Sequence, residues 1–176
     1  MARRRALAAG ASLLELLLVL VILAILSALA LPGSSDRLEL HRVAQRAQQL
    51  QADLHHARAL AALGGRNLRF AITPQGYRVT CVAADDWVDA AWLAANSAGC
   101  DPTVPIADPG RSRRFEVVLP DELRFEQSAN WIYDVTGRAA SLPVETMDIH
   151  LQAHGQRRAT VRLQAQTGMA SVVVHP

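Results

Sequence analysis

Hydrophobic and polar positions divide the chain into three stretches with different periods. From Ala11 to Leu31 the sequence is a predominantly apolar run whose only charge is Glu15, which predicts a buried or membrane-spanning helix. As a helix those 21 residues would be about 31 Å long, enough to cross a bilayer once. From Asp36 to Leu63 the apolar positions Val43, Ala47, Leu50, Leu54, Ala57 and Ala61 recur in steps of four and three. That spacing predicts an amphipathic helix over 36–63, with Arg42, Arg46, Gln49, Asp53 and His56 on its other face and Gly64-Gly65 as its stop. From Arg66 to the end the period falls to two: Leu68-Phe70-Ile72, Tyr77-Val79-Cys81, Phe115-Val117-Leu119, Trp131-Tyr133-Val135, Ile149-Leu151, Val161-Leu163 and Val172 to Val174. These predict short strands. Turn sequences such as Thr73-Pro74-Gln75-Gly76, Thr136-Gly137, His154-Gly155 and Thr167-Gly168 separate them, so the expected fold is α+β. A long N-terminal helix, half apolar and half amphipathic, would pack on an antiparallel sheet or sandwich occupying 66–176. Ala83 to Arg113 shows no clear period and is read as a long loop with one helical piece around Asp86 to Ala95.

Charge sharpens the reading of the first stretch. A carboxylate at the centre of a bilayer costs roughly 2.5 to 3.5 kcal/mol, so an anchor alone is better served by leucine than by Glu15. Arg3, Arg4 and Arg5 precede the apolar run and no basic cluster follows Leu31. The positive-inside rule then predicts a single-pass inner-membrane protein with its N-terminus cytoplasmic and its C-terminal domain periplasmic. The leader arginines also account for the net charge: without them 15 basic side chains face 16 acidic ones, which gives no general argument for a nucleic-acid partner.

A short basic leader ending in Gly10, an apolar stretch opening at Ala11 and a glutamate as its fifth residue resemble the class III signal of type IV prepilins and type II secretion pseudopilins. The resemblance implies that residues 1–10 are removed by prepilin peptidase between Gly10 and Ala11. It also implies methylation of the new N-terminus at Ala11, where the family usually carries Phe or Met. Glu15 would neutralise the terminal ammonium of a neighbouring subunit during assembly. Pro32 falls where many pilins loosen the helix with a proline. Further along, the run from Leu50 to Val82, with its Ala57-Arg58 pair ahead of Gly64, is similar to the helix-to-strand junction of minor pseudopilins. That group joins the H component of type II secretion with FimT-type minor pilins. WIYDVTGRAASL and ATVRLQAQTGMASVVV are similar to its two C-terminal strand-turn-strand elements.

The implied function is that of a minor pseudopilin of a type II secretion pseudopilus. Its partners would be other minor and major pseudopilins, the prepilin peptidase, the inner-membrane assembly platform and the membrane. The alternatives are a FimT-type minor type IV pilin for fibre priming or DNA uptake, and a soluble periplasmic binding domain. In the last reading signal peptidase cuts after Ala28-Leu29-Ala30. FimT-type proteins often hold DNA with an arginine-rich terminal turn, and here that turn is Thr167-Gly168-Met169-Ala170. DNA binding is therefore not carried over.

Cys81 and Cys100 are the only two cysteines, and in an oxidising compartment they read as one disulfide. Other constellations are weaker. Asp85, Asp86 and Asp89 are acidic enough for calcium but lack an EF-hand pattern, so a solvated loop is preferred. His55 and His56 are adjacent and point to different helix faces, which disfavours a shared metal, and no metal or cofactor is expected. Arg111, Arg113 and Arg114 with Arg157, Arg158 and Arg162 would form a basic patch only if the fold gathered them. Trp131 and Tyr133 read as core. No nucleophile motif or phosphate loop is present, so the chain does not read as an enzyme.

Overall fold

A computed structural model describes residues 12–30, 34–82, 101–108, 113–142 and 144–175. The described residues form an α+β arrangement with two helices and two four-stranded antiparallel sheets, and the chain divides into two compact units, 1–38 and 39–176. Helix α1 spans Leu13–Ala30 and α2 spans Ser34–Gly64. Strands β1 (Leu68–Thr73), β2 (Gly76–Cys81), β5 (Glu116–Val118) and β7 (Ala129–Tyr133) form one sheet in the order β5-β2-β1-β7. The other sheet has the order β10-β9-β8-β6, from β6 (Leu123–Phe125), β8 (Thr146–Ala153), β9 (Gln156–Gln164) and β10 (Ala170–Val174). A small ladder pairs β3 (Ala107–Asp108) with β4 (Arg113–Arg114).

The expected localisation is overturned: among the described residues no helix is long and apolar enough to cross a membrane. The described α1 has 18 residues, about 27 Å of helix against roughly 30 Å of hydrocarbon, and it carries Glu15 in its first turn. Ala11, Leu31 and Pro32 lie outside the described residues, as do Gly10, Cys100 and the aspartates at 85, 86 and 89.

Within residues 39–176, α2 supplies the helical wall of the core. Val43, Ala47, Leu50, Leu54, Ala57 and Ala61 are all buried against strand residues. The sheets contribute Phe70, Val79 and Trp131 from the first and Ile149, Leu151, Val161 and Leu163 from the second. The Phe70 ring stacks between Trp131, 4.9 Å away, and Tyr77, 5.4 Å away, because β1 lies between β2 and β7 and cross-strand aromatics meet on one face.

The polar face drawn for α2 needs correction at Asp53 and His56. Asp53 is completely buried and accepts a 2.6 Å hydrogen bond from the Tyr77 hydroxyl. His56 Nε2 lies 2.9 Å from Oδ1 of Asp108, itself buried. A period-based assignment counts any charged residue as solvent-facing. Here the helix is flanked by sheet on two sides, so the margins of its stripe are covered too.

Candidate assembly site

Glu15 is placed by the local chemistry of its helix start. Ser12 precedes α1, its hydroxyl accepts from the Leu14 amide at 3.3 Å, and its carbonyl accepts from the Glu15 amide at 2.9 Å. Ser12 is therefore the N-cap and Glu15 the third helical residue, the spacing of a capping box, which leaves the carboxylate beside the positive end of the helix dipole. The pattern Ser-x-x-Glu was visible in the sequence, hidden behind the more conspicuous isolation of the charge. Among the described residues no ion pair or hydrogen bond engages the Glu15 carboxylate. Around it Leu13 and Leu14 are more than three-quarters accessible, and the leucines, valines and isoleucines from Leu16 to Leu26 about half. Geometrically this is one charge at the head of an uncovered apolar rod.

Arg58, the second residue of the Ala57-Arg58 pair, ties three segments together. From half-buried α2 its Nε donates to the Gly137 carbonyl at 3.2 Å and its Nη1 approaches the Met169 sulfur at 3.2 Å. Gly137 and Gly168 both have positive φ, 78° and 63°, at the tips of the turns after β7 and β9. The first turn is organised by Asp134, whose Oδ1 accepts from the Thr136 and Arg138 amides at 2.8 and 2.9 Å. Two more groups of α2 hold the start of β10: Gln51 donates to the Ala170 carbonyl at 2.8 Å, and the Ala170 amide donates to His55 Nε2 at 3.1 Å. His55 and His56 thus serve opposite flanks of the helix. Beside the clasp, burial pushes the Tyr133 phenol well above its ordinary range.

Among the described residues Arg157, Arg158 and Arg162 are not gathered into one basic patch, and Arg111 lies outside the described residues. Arg158 approaches Glu39 of α2 at 3.9 Å, whereas Arg157 and Arg162 lie with the cleft on the second sheet. Each of the latter two meets a carboxylate: Arg157 bonds Glu126 at 2.7 Å, and Arg162 holds Asp148 through two bonds of 2.7 and 2.8 Å. The Arg162 hydrogen bond lowers the Asp148 carboxyl below its ordinary value. A depressed carboxylate stabilises the fold above its unfolded value, near 3.8, and that contribution is lost as pH falls through the lower folded value. Asp148→Asn should therefore leave the melting temperature almost unchanged near pH 7, because the pair is exposed. Any thermal-melt difference from the parent protein should vanish as pH falls through that lower folded value.

Cys81 is disulfide-bonded, and no described cysteine is free. It borders an open cleft of about 470 Å³ lined also by Leu60, Leu68, Val104 and Ile106. Among the described residues no three His, Cys, Asp or Glu side chains converge as metal ligands. No family model matches the chain, and neither a curated protein nor a solved structure matches it.

Proposed function

We propose that this chain is a minor pseudopilin, a subunit of a type II secretion pseudopilus that is cut after Gly10 and acts by assembly rather than catalysis. The observation that carries the reading is Glu15: a carboxylate in the first turn of an apolar helix capped by Ser12, five residues after a glycine that ends a basic leader. An apolar rod of this kind is stable in water only when other apolar surfaces cover it, and in a fibre the same helix of neighbouring subunits does so. The Ala11 ammonium of one subunit would then meet the Glu15 carboxylate of the next in a desolvated setting, where each charge needs the other. Other pseudopilins are its partners in this reading, and the prepilin peptidase is its processing enzyme. The carboxylate pairing of Arg157, Arg158 and Arg162 supports protein contacts over DNA, since a phosphate-binding face needs unspent cations on one side.

One observation favours a second reading. The principal core draws its buried residues from Val43 to Ala170, all within the unit 39–176, as expected of a domain released by signal peptidase after Ala30. Intact-mass analysis of the protein from its native host separates the two. The fibre reading expects a mature chain beginning at Ala11, with or without a methyl group. A chain beginning at Leu31 removes it.

A further inference from the structure

Strand β10 ends the second sheet, and no described strand pairs its outer side. The register on its inner side fixes which backbone groups look outward. The Gln164 amide donates to the Met169 carbonyl and the His175 amide to the Arg158 carbonyl, so alternate residues from Met169 to His175 turn their amides and carbonyls toward β9. Ala170, Val172 and Val174 therefore turn theirs away from it. At Ala170 both groups are taken by α2, the carbonyl by Gln51 and the amide by His55. Toward its N-terminus α2 leaves this edge, because there Glu39 reaches Arg158 of β9 and Arg42 reaches Glu122 just before β6. The seal is thus confined to the start of β10, and among the described residues nothing bonds the outward groups of Val172 or Val174.

Charge and register limit what can lie along this edge. Ala170 to Val174 carries no charge, no proline and no bulge, the usual guards of an edge strand. Arg162 on the neighbouring strand is already held by Asp148, so a second copy of the same edge meets no net repulsion. Two antiparallel copies of β10 use all their open groups only when Val172 of each faces Val174 of the other. A shift toward the start of the strand would bring in Ala170, whose groups are occupied. In the register that remains, the half-exposed Val173 lies opposite its own counterpart, and Ser171 lies opposite His175. The Ser171–His175 contacts are reciprocal, as a two-fold interface requires. His175 Nε2 already meets the Thr160 hydroxyl at 2.9 Å, which orients the ring and leaves Nδ1 for the serine of the other copy.

We propose that β10 pairs antiparallel with β10 of a second copy of this chain, joining the two second sheets through the backbone of Val172 and Val174. Each Val172–Val174 pair exchanges two hydrogen bonds, and the Val173 side chains meet at the two-fold axis. So short a seam makes a reversible dimer, since stable interfaces bury about 1,200 Å² or more. The pairing goes beyond the fibre reading and does not depend on it, because every group involved lies in the unit 39–176.

Oxidative cross-linking of the full chain in mild detergent tests this pairing. No described cysteine is free, so Val173→Cys introduces a reporter thiol. Its counterpart would sit in a non-hydrogen-bonded pair with Cα atoms roughly 4.5 Å apart, within reach of a disulfide. In Ser171→Cys the two thiols would lie four residues apart along the strands, about 14 Å, and out of reach. Val173→Cys should therefore give at least about tenfold more covalent dimer than Ser171→Cys. Adding Val174→Pro should abolish that cross-link and leave the melting temperature unchanged, because proline removes an amide that β9 does not use. Equal cross-linking at the two positions would mean association through another surface, such as the apolar helix, and overturns the proposal. So does cross-linking that survives Val174→Pro. A chain that stays monomeric leaves the edge to a different partner and overturns it as well. Should Val174→Pro melt early, hydrogen exchange of the parent protein decides. Protection of the Val172 and Val174 amides that rises with protein concentration supports the pairing, and exchange independent of concentration refutes it.

Discussion

Glu15→Gln is expected to be cut after Gly10 as efficiently as the parent chain and yet to join neighbouring subunits at least tenfold less well. Glutamine is the discriminating substitution because it keeps the length and polarity of the side chain three residues behind Ser12 while removing the charge. A role of side-chain polarity alone predicts near-normal assembly for Glu15→Gln and a defect for Glu15→Leu, since leucine is apolar. A pairing role predicts a defect in both. Truncating one partner of a buried ion pair typically costs about 3 to 5 kcal/mol, because the other charge is left unsatisfied in a desolvated place. A tenfold loss corresponds to about 1.4 kcal/mol, so it would register even if most of that penalty were relieved by water. Cross-linking or co-purification with the other fibre subunits at native expression level reads the result. Wild-type assembly by the glutamine variant would mean that the Glu15 charge is not an assembly contact.

How much of this was legible in the sequence depended on whether a residue's role is set by its neighbours in the chain or across the fold. The α+β class was legible, because the change of period near Gly64 is a local property. So was the buried stripe from Val43 to Ala61, whose members are all at most 1 % exposed. Strand β6 escaped notice because three residues, Leu123 to Phe125, are too few to display a period, and the β3–β4 ladder is shorter still. Asp53 and His56 were misassigned for the opposite reason: their partners Tyr77 and Asp108 lie 24 and 52 residues away. The membrane crossing rests in the sequence on the 21 residues from Ala11 to Leu31, and among the described residues no helix is long and apolar enough to make it. Likewise, Arg157 and Arg158 look equivalent in sequence. Only their separate carboxylate partners, Glu126 and Glu39, show that they serve different contacts.

Gly168 shows the same division at its sharpest, and it carries the largest expected loss of stability. In sequence Thr167-Gly168 is an ordinary turn; in the fold Gly168 sits with φ at 63° beneath the Gly137 carbonyl, where an added Cβ would collide with that oxygen. The same Cβ would come within 3.1 Å of the Arg58 side chain and 3.2 Å of the Tyr133 ring. The left-handed conformation alone costs a non-glycine residue about 1 to 2 kcal/mol. The collision with backbone adds to this, because a carbonyl already fixed by Arg58 moves only if the clasp opens. Gly168→Ala should therefore lose about 3 kcal/mol or more, a fall of roughly 10 °C in melting temperature. Gly155 supplies the internal standard, with φ at 80° and no atom within 4 Å of an added Cβ. Gly155→Ala should show the conformational cost only, about 1 to 2 kcal/mol. Adding Arg58→Ala to Gly168→Ala should not rescue it, because the obstructing oxygen belongs to the backbone. Equal melting temperatures for the two alanine variants would mean that the turns after β7 and β9 are not held against each other, and the role assigned to Arg58 would fall with them.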